Sequence, residues 1–208
     1  MMKFFERPSD FILGCDPGPE HSAFAMLAVD RMSGKPSVKA VSYVENDLIN
    51  LHDWREFPTL LSEFGSGEFP SFPKSLTYAF ERCSVQAGGA NAMVFETCMV
   101  AGELRYIMRR NQFCQMCSFS PSDWRYILTG KGCANDANVR NLLLTLLPEC
   151  DTICRSYSKK AKDMYGLRKP ITSHLRDAIG VAMATGFVGY RKGLTLSQFP
   201  ARLEVHCG

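Results

Sequence analysis

The stretch FILGCDPGP, Phe11–Pro19, decides how the rest of the chain is interpreted. Its first five residues carry no charge and run directly into Asp16, and a short apolar run bounded by a turn predicts a buried central strand. Because Pro17 cannot donate to a strand ladder and Gly18 accepts a tight turn, we expect the strand to end there. Asp16 then lies at the carboxyl end of a core strand, either as the acceptor of an Asx-type turn or as a carboxylate paired with a cation.

Length and composition predict one globular domain. The chain has 208 residues, 46% hydrophobic and 22% charged, which is ordinary for a soluble protein with a sizeable core. No apolar run approaches the length of a membrane span. The first ten residues are too few and too charged for a secretory signal, so we expect a cytoplasmic protein of a bacterial cell or a phage-infected host. We expect the domain to cover residues 1–189, followed by a tail at 190–208.

Positive charge is concentrated in the second half of the chain. Residues 105–168 contain eleven Lys/Arg and five Asp/Glu, whereas the whole chain has a net charge of only +3. This asymmetry favours a polyanion as partner, although a solvated basic face has the same composition. The candidates for nucleic-acid contact are Arg105, Arg109, Arg110, Arg125, Lys131, Lys159, Lys160 and Lys162.

The order of apolar patterns and turn formers predicts an α/β fold. Strands are predicted at 10–16, 22–29, 37–44, 76–80 and 113–119, and helices at 53–64, 90–110, 122–128, 135–147 and 173–187. Residues 149–170 show no clear periodicity. The second and third strands are separated by turn formers and predict a hairpin. The whole order predicts a mixed central sheet with an antiparallel hairpin and helices on both faces.

Three acidic residues and a histidine lie at the ends of predicted elements. Glu81 follows an apolar strand as Asp16 does, and the carboxyl ends of parallel strands are where such sheets bind ligands. His174 and Asp177 share one face of the last predicted helix. Taken alone, they are ordinary residues of a helix start. Asp177, together with Asp16 and Glu81, forms a set of hard oxygen ligands suited to Mg²⁺ or Mn²⁺, and paired ions of this kind support phosphodiester hydrolysis.

Four segments in this order resemble the RuvC-type Holliday junction resolvases of the RNase H-like superfamily, in particular phage-like or atypical members. They are GCDPGP, the apolar strand that ends in Glu81, PSDWRYILTGKGCANDANVRNLLL and HLRDAIGVAMA, within residues 10–187. The family's acidic tetrad corresponds to Asp16, Glu81, His174 and Asp177. The resemblance implies an RNase H-like fold and a crossover junction endodeoxyribonuclease with two Mg²⁺ or Mn²⁺ ions per site. It also implies a homodimer that makes paired nicks in four-way DNA, leaving 5′-phosphate and 3′-hydroxyl ends.

Two positions depart from the family's pattern. Arg125 and Lys131 match basic residues around the GKG-like loop, but Asp136 stands where a lysine is expected. Ser84 stands where an aromatic residue often follows the glutamate and stacks on a base. Both departures concern junction engagement and sequence preference, not the acidic residues.

Two other functions remain open from the sequence. The first is an RNase H-like nuclease that acts on RNA or other branched DNA, and the second is a nucleic-acid-binding module that does not cleave. The intact acidic set favours a nuclease. For the homodimer, we expect the contact on the helix at 90–110, where Met93, Met99 and Met108 suit an adaptable apolar surface.

Overall fold

Strand β1, Phe11–Pro17, lies inside a six-stranded sheet, and its apolar residues are covered on both faces. The computed structural model describes residues 11–29, 36–50, 55–67, 69, 76–83, 92–110, 114–131, 134–167 and 170–190. No helix in these ranges is long and apolar enough to cross a membrane. Ser84 and the tail after Tyr190 lie outside the described residues.

The other strands are β2 (His21–Val29), β3 (Pro36–Glu45), β4 (Gly65–Ser66), β5 (Leu76–Glu81) and β6 (Cys114–Phe119). Their order in the sheet is β4-β3-β2-β1-β5-β6. Strand β1 pairs antiparallel with β2 and parallel with β5, and β5 pairs parallel with β6. Strands β2 and β3 form the predicted hairpin. The prediction of a mixed sheet with an antiparallel hairpin is confirmed.

Seven helices are described: α1 (Asn46–Asn50), α2 (Phe57–Glu63), α3 (Ala92–Arg109), α4 (Pro121–Thr129), α5 (Asp136–Leu146), α6 (Cys150–Tyr165) and α7 (Thr172–Tyr190). They cover both faces of the sheet. Because successive side chains of a strand point to opposite faces, Ile12 packs with α4–α7, whereas Leu13 packs with α1–α3.

Helix α7 packs directly on β1, and a glycine permits the close approach. A Cβ placed on Gly14 would lie 2.0 Å from the carbonyl oxygen of Ala178, so no other residue fits without moving the helix. Ala178 follows Asp177, and Gly14 precedes Asp16 by two residues. The contact therefore brings the start of α7 to the carboxyl end of β1.

Residues 150–165 correct the prediction of an irregular segment at 149–170, because they form the 16-residue helix α6. The buried side chains of α6 follow a helical spacing, but they are small or polar, so an aliphatic pattern does not reveal them. They are Cys150, Cys154, Tyr157, Ser158 and Ala161. The short elements α1 and β4 were also not predicted, and the helix expected at 53–64 is limited to Phe57–Glu63.

Candidate functional site

Asp16 and Glu81 lie side by side at one end of the sheet. In the parallel pairing of β1 and β5, Cys15 is opposite Phe80, so the two acidic residues that follow emerge at the same edge. The side chain of Asp16 is 12% exposed. Their predicted proximity rests on this register, in which both strands bury consecutive residues, 12–15 in β1 and 76–80 in β5.

The turn after β1 is held by a residue that sequence reasoning missed. The buried Asn46 donates from Nδ2 to the carbonyl oxygens of Gly18 and Pro19 at 3.0 and 2.9 Å. Its Oδ1 accepts from Ser22 at 2.8 Å. The Gly18 amide closes a tight turn on the carbonyl of His21 at 3.1 Å. These bonds fix the chain that leaves Asp16, and no sequence pattern indicates them beyond a polar residue after β3.

The first two turns of α7 bring His174 and Asp177 to the same edge. Leu175 and Ala178 are fully buried, and this orients the helix with its apolar face against the sheet, so that His174 and Asp177 lie beside the end of β1. Nδ1 of His174 donates to Oδ2 of Asp16 at 2.8 Å. The ring of Tyr43, which sequence reasoning did not single out, lies 6.3 Å from the His174 ring between centroids.

Burial and mutual repulsion perturb the acidic residues. Burial, followed by the charges of Asp16 and Asp177, raises the pKa of Glu81 to about 8. Burial and then the charge of Asp16 raise the pKa of Asp177 to about 7. The hydrogen bond that His174 donates to Asp16 raises the pKa of His174, against the opposing effect of burial. The three carboxyl groups are therefore close enough for their charges to repel one another within a single site.

Two donors on α4 partly offset this repulsion. The indole Nε1 of Trp124 donates to Oε2 of Glu81 at 2.7 Å. The guanidinium of Arg125 lies 3.9 Å from Oδ1 of Asp177 and lowers the pKa of that carboxyl group. Arg125 was predicted as a nucleic-acid contact, whereas Trp124 was only part of a motif. No pattern in the sequence indicates that the indole reaches Glu81.

The four side chains are of the chemical types that bind a divalent cation. They lie at one end of the sheet, but they do not converge on a single point in this structure. Within the described residues, no three His, Cys, Asp or Glu side chains form a ready metal cluster. Asp16 and Glu81 are instead hydrogen-bonded to His174 and Trp124. Carboxylate oxygens are the ligands that Mg²⁺ prefers, and imidazole is accepted by Mn²⁺. A cation at this edge would remove the repulsion that raises the pKa values of Glu81 and Asp177.

A cleft of about 360 Å³ opens beside these carboxylates. Asp16 and Glu81 lie on its wall with residues from the turn after β1, the end of β5 and the starts of α3 and α4. These are Pro17, Pro19, Arg82, Cys83, Met93, Val94, Thr97 and Pro121. The acidic residues are therefore accessible from one side and packed against the protein on the other.

The predicted basic residues do not form one surface. Helix α3 begins at the cleft, since Val94 lines it, and Arg109 lies 15 residues further along, or about 22 Å at 1.5 Å per residue. Arg105 and Arg110 lie at the same far end of the helix. The structure does not bring these three residues to the acidic site.

Lys159, Lys160 and Lys162 lie on the opposite face of the sheet, near the end of α6. One to two turns later, the hydroxyl of Tyr165 donates to the carbonyl of Tyr43 at 2.9 Å, and this places them on the His174 side. Lys159 and Lys162 are exposed, and Lys160 donates to the carbonyl of Gly65 at 2.8 Å.

Lys131 and Asp136 flank the loop after α4. Lys131 is exposed. Asp136, at the position where the family's lysine is expected, contacts Arg125 at 2.9 Å between Oδ1 and Nη2. Nη1 of Arg125 also donates to the carbonyl of Ala134 at 3.3 Å. Asp136 therefore contributes by fixing Arg125 and adds no positive charge of its own.

Similarity to known proteins is found among solved structures and not in the sequence comparisons. No protein-family model and no curated protein matches the sequence. The structure of Thermus thermophilus RuvC matches with a TM-score of 0.56 and 16% identity, over 85% of this chain and 93% of that one. T. thermophilus RuvC in complex with a Holliday junction substrate matches with a TM-score of 0.55 and 17% identity, again over 85% of this chain and 93% of that one.

The chain has the RuvC fold. The fold that the resemblance implied is therefore confirmed. The yeast mitochondrial Holliday junction resolvase Ydc2 is also similar, with a TM-score of 0.48 and 19% identity over 88% of this chain and 79% of that one. At these identities the likeness establishes the architecture, so the activity has to be argued from the chain's own site.

Proposed function

We propose that this protein is a metal-dependent endonuclease that resolves four-way DNA junctions by nicking. The observation that carries the proposal is the gathering of Asp16, Glu81, His174 and Asp177 at one edge of a RuvC-fold sheet, beside an open cleft. The T. thermophilus RuvC structure that this chain resembles is a complex with such a junction. We assign the nuclease domain to residues 1–189.

The four side chains named above would hold Mg²⁺ or Mn²⁺, which when bound lowers the pKa of a water molecule and neutralises charge at the scissile phosphate. The protein's own residues do the rest. Helix α7 and strand β1 keep Asp177 and Asp16 together through the Gly14 contact. Arg125 adds fixed positive charge beside Asp177, where a phosphate approaching the cleft would otherwise meet net negative charge.

The direct test is cleavage of labelled synthetic substrates with Mg²⁺ or Mn²⁺: a four-way junction, a flap, a duplex and an RNA of matched sequence. We expect nicks at the centre of the four-way junction. Asp16→Asn is the matched negative control and should lose this activity. Preferential cleavage of the flap or RNA would overturn the junction assignment and retain the nuclease. Binding without cleavage of any substrate, with both metals, would favour the non-cleaving module.

We also propose a homodimer through the exposed face of α3. Phe95, Met99 and Tyr106 are 62%, 67% and 65% exposed, and they share one helix face with Gly102. A Cβ built on Gly102 would meet no atom of the described residues within 4 Å. A glycine inside a helix is unfavourable by about 0.5–1 kcal/mol relative to alanine, and none of the described residues lies close enough to Gly102 to require one. A second copy crossing at Gly102 would use both the apolar face and the close approach.

One part of the predicted contact surface is wrong. Met108 is fully buried in the protomer core, whereas Met93 is 59% exposed. Light scattering should therefore give about twice the protomer mass of 23.3 kDa at micromolar protein. Met99→Glu should reduce it to the protomer mass. Met164→Glu, on α6 at a residue 41% exposed, is the matched control and should leave the mass unchanged. A protomer mass for the unmodified chain, with and without junction DNA, contradicts the proposal.

A further inference from the structure

Trp124 is the largest fully buried side chain among the described residues, and its environment is unusual. It is 0% exposed, yet its polar edge reaches the acidic site, where Nε1 lies 2.7 Å from Oε2 of Glu81. A buried indole N–H needs an acceptor, and a hydrogen bond to an ionised acceptor is roughly twice as strong as a neutral one, so this bond is strongest when Glu81 is ionised. The indole is therefore linked to one oxygen of a carboxylate that the proposed reaction uses.

The indole ring cannot readily move away from Glu81. It lies against Gly180 on α7, where a Cβ would come within 2.6 Å of the ring atom Cζ3. A side chain on residue 180 would press on the ring, and a shift of the ring would lengthen or misalign the bond to Glu81. Gly180 lies one turn after Asp177, so the same ring connects the helix that carries Asp177 to the strand that carries Glu81.

The backbone that carries Trp124 is also fixed. Helix α4 starts with a capping box in which Asp123 N donates to Ser120 Oγ and Ser120 N donates to Asp123 Oδ2, both at 3.2 Å. Phe119, just before the cap, is paired with Glu81 in the parallel sheet. The donor and its acceptor are therefore set by two neighbouring strands and the first turn of one helix.

We infer that Trp124 is a positioning residue, whose indole N–H holds the Glu81 carboxylate in its working orientation and whose ring, against Gly180, keeps β5 in register with α7. The inference rests on the proposed nuclease function. Without the N–H, Glu81 would share its site with Asp16 and Asp177 and would have no fixed donor from α4. Its carboxylate would then be free to rotate away from its neighbours, into the cleft that it lines.

The activity test compares Trp124→Phe with Trp54→Phe, which removes the other tryptophan of the chain. Phenylalanine keeps most of the buried volume but has no N–H donor. We expect Trp124→Phe to lower the nicking rate at limiting Mg²⁺ by about 10–100-fold, the usual cost of losing a group that orients a metal ligand. Saturating Mg²⁺ should recover part of the rate, and junction affinity without metal should stay within twofold. Trp54→Phe should nick normally. Wild-type rates for Trp124→Phe at every Mg²⁺ concentration would overturn the inference.

A measurement without metal separates the inference from the proposed function. In protein labelled with ¹⁵N-tryptophan, Trp54→Phe assigns the two indole N–H signals. Glu81→Ala should move the Trp124 signal upfield and speed its exchange with solvent, whereas Glu96→Ala, at an exposed residue of α3, should not. An unmoved signal in Glu81→Ala would overturn the inference even if Trp124→Phe fails to fold. If the wild type nicks no substrate while the signal moves, the proposed function fails and the hydrogen bond stands.

Discussion

The two sides of the acidic cluster are held in different ways. On one side, Glu81 and Asp177 are largely buried, and their pKa values are raised to about 8 and about 7. On the other side, Asp16 accepts a hydrogen bond from His174, whose side chain is 53% exposed. The buried side depends on positive charge brought into the site, whereas the exposed pair, Asp16 and His174, meets the solvent through the His174 ring, since Asp16 itself is 12% exposed.

This difference indicates what each side contributes. Two carboxyl groups buried near a third destabilise the metal-free protein, and a bound cation would relieve that cost. Arg125 and Trp124 offset only part of it, since both pKa values remain raised. Asp16 and His174 are joined by a hydrogen bond of their own. Asp16 belongs to both sides, because its charge raises the pKa values of Glu81 and Asp177.

The largest effect should therefore come from Asp16→Asn. We expect the loss of nicking to exceed the roughly 10–100-fold typical of residues that only orient a metal ligand, because Asp16 would be a ligand itself. Junction binding should stay equal or become tighter, since removing a negative charge reduces repulsion with phosphate. Gel-shift and nicking assays on the same labelled junction measure both. A nicking rate within tenfold of wild type would exclude Asp16 as a central ligand.

The next effect concerns stability and tests the buried side alone. Folding raises the pKa of Glu81 and Asp177 above their ordinary values of 4.5 and 3.8, so the folded state binds more protons than the unfolded state. Their contribution to stability is present at low pH and is lost as pH rises through about 7 to 8. Between pH 6 and pH 9 we expect the melting temperature of metal-free protein to fall by several degrees, at about 2–4 °C per kcal/mol.

Isosteric amides provide the control for this pH effect. The double variant Glu81→Gln, Asp177→Asn cannot gain these charges, so its melting temperature should change less between pH 6 and pH 9. Added Mg²⁺ at pH 9 should restore the wild-type melting temperature and leave that of the double variant almost unchanged. Equal pH dependence of the two proteins, measured by calorimetry, would show that the buried side carries no such cost.

The sequence predicted the part of this site that depends on strand ends. Asp16 and Glu81 each follow an apolar strand, and parallel pairing necessarily brings such ends to one edge. His174 and Asp177 were found from helical spacing and from the family motif. The positions of these four residues could be predicted because each depends on a strand end, a helical spacing or a short motif in its own segment.

The remainder depends on contacts between segments far apart in sequence. Trp124 reaches Glu81 across 43 residues, and Asn46 holds Gly18 across 28, and neither contact leaves a periodic signal. Helix α6 was missed because cysteine, serine and tyrosine fill its buried face. The basic residues were grouped by charge alone, and charge does not reveal that α3 carries its arginines away from the site.

A smaller effect should distinguish the exposed pair. Imidazole is a softer ligand than carboxylate and binds metal only when neutral. Because the hydrogen bond that His174 donates to Asp16 raises the pKa of His174, its protonated form persists to higher pH than in a free imidazole. We therefore expect a Mn²⁺ advantage over Mg²⁺ and an acidic fall in the Mg²⁺-supported rate that begins above pH 6.5.

His174→Asp tests this role by replacing the imidazole with a carboxylate. It should retain nicking, reduce the Mn²⁺ advantage and move the acidic fall to lower pH. Nicking rates measured from pH 5.5 to pH 9 with each metal provide the comparison. If His174→Ala nicks almost normally with either ion, His174 only orders Asp16 and the start of α7.

The smallest effect should come from the arginines at the far end of α3, and it extends the comparison to the surface around the site. Lys159, Lys160 and Lys162 lie on the His174 side, whereas Arg105, Arg109 and Arg110 lie about 16 to 24 Å along α3 from Val94 at the cleft. Each phosphate contact that is lost reduces the salt slope of binding by about 0.9 in duplex DNA. Replacing the three lysines by glutamine should therefore weaken junction binding and flatten its salt dependence.

Replacing the three arginines of α3 by glutamine should change the nicking rate by less than about twofold, since surface charges beyond a Debye length of about 10 Å are largely screened. An equal fall in salt slope for both triple variants would show that the junction also extends along α3, and would restore these arginines as DNA contacts.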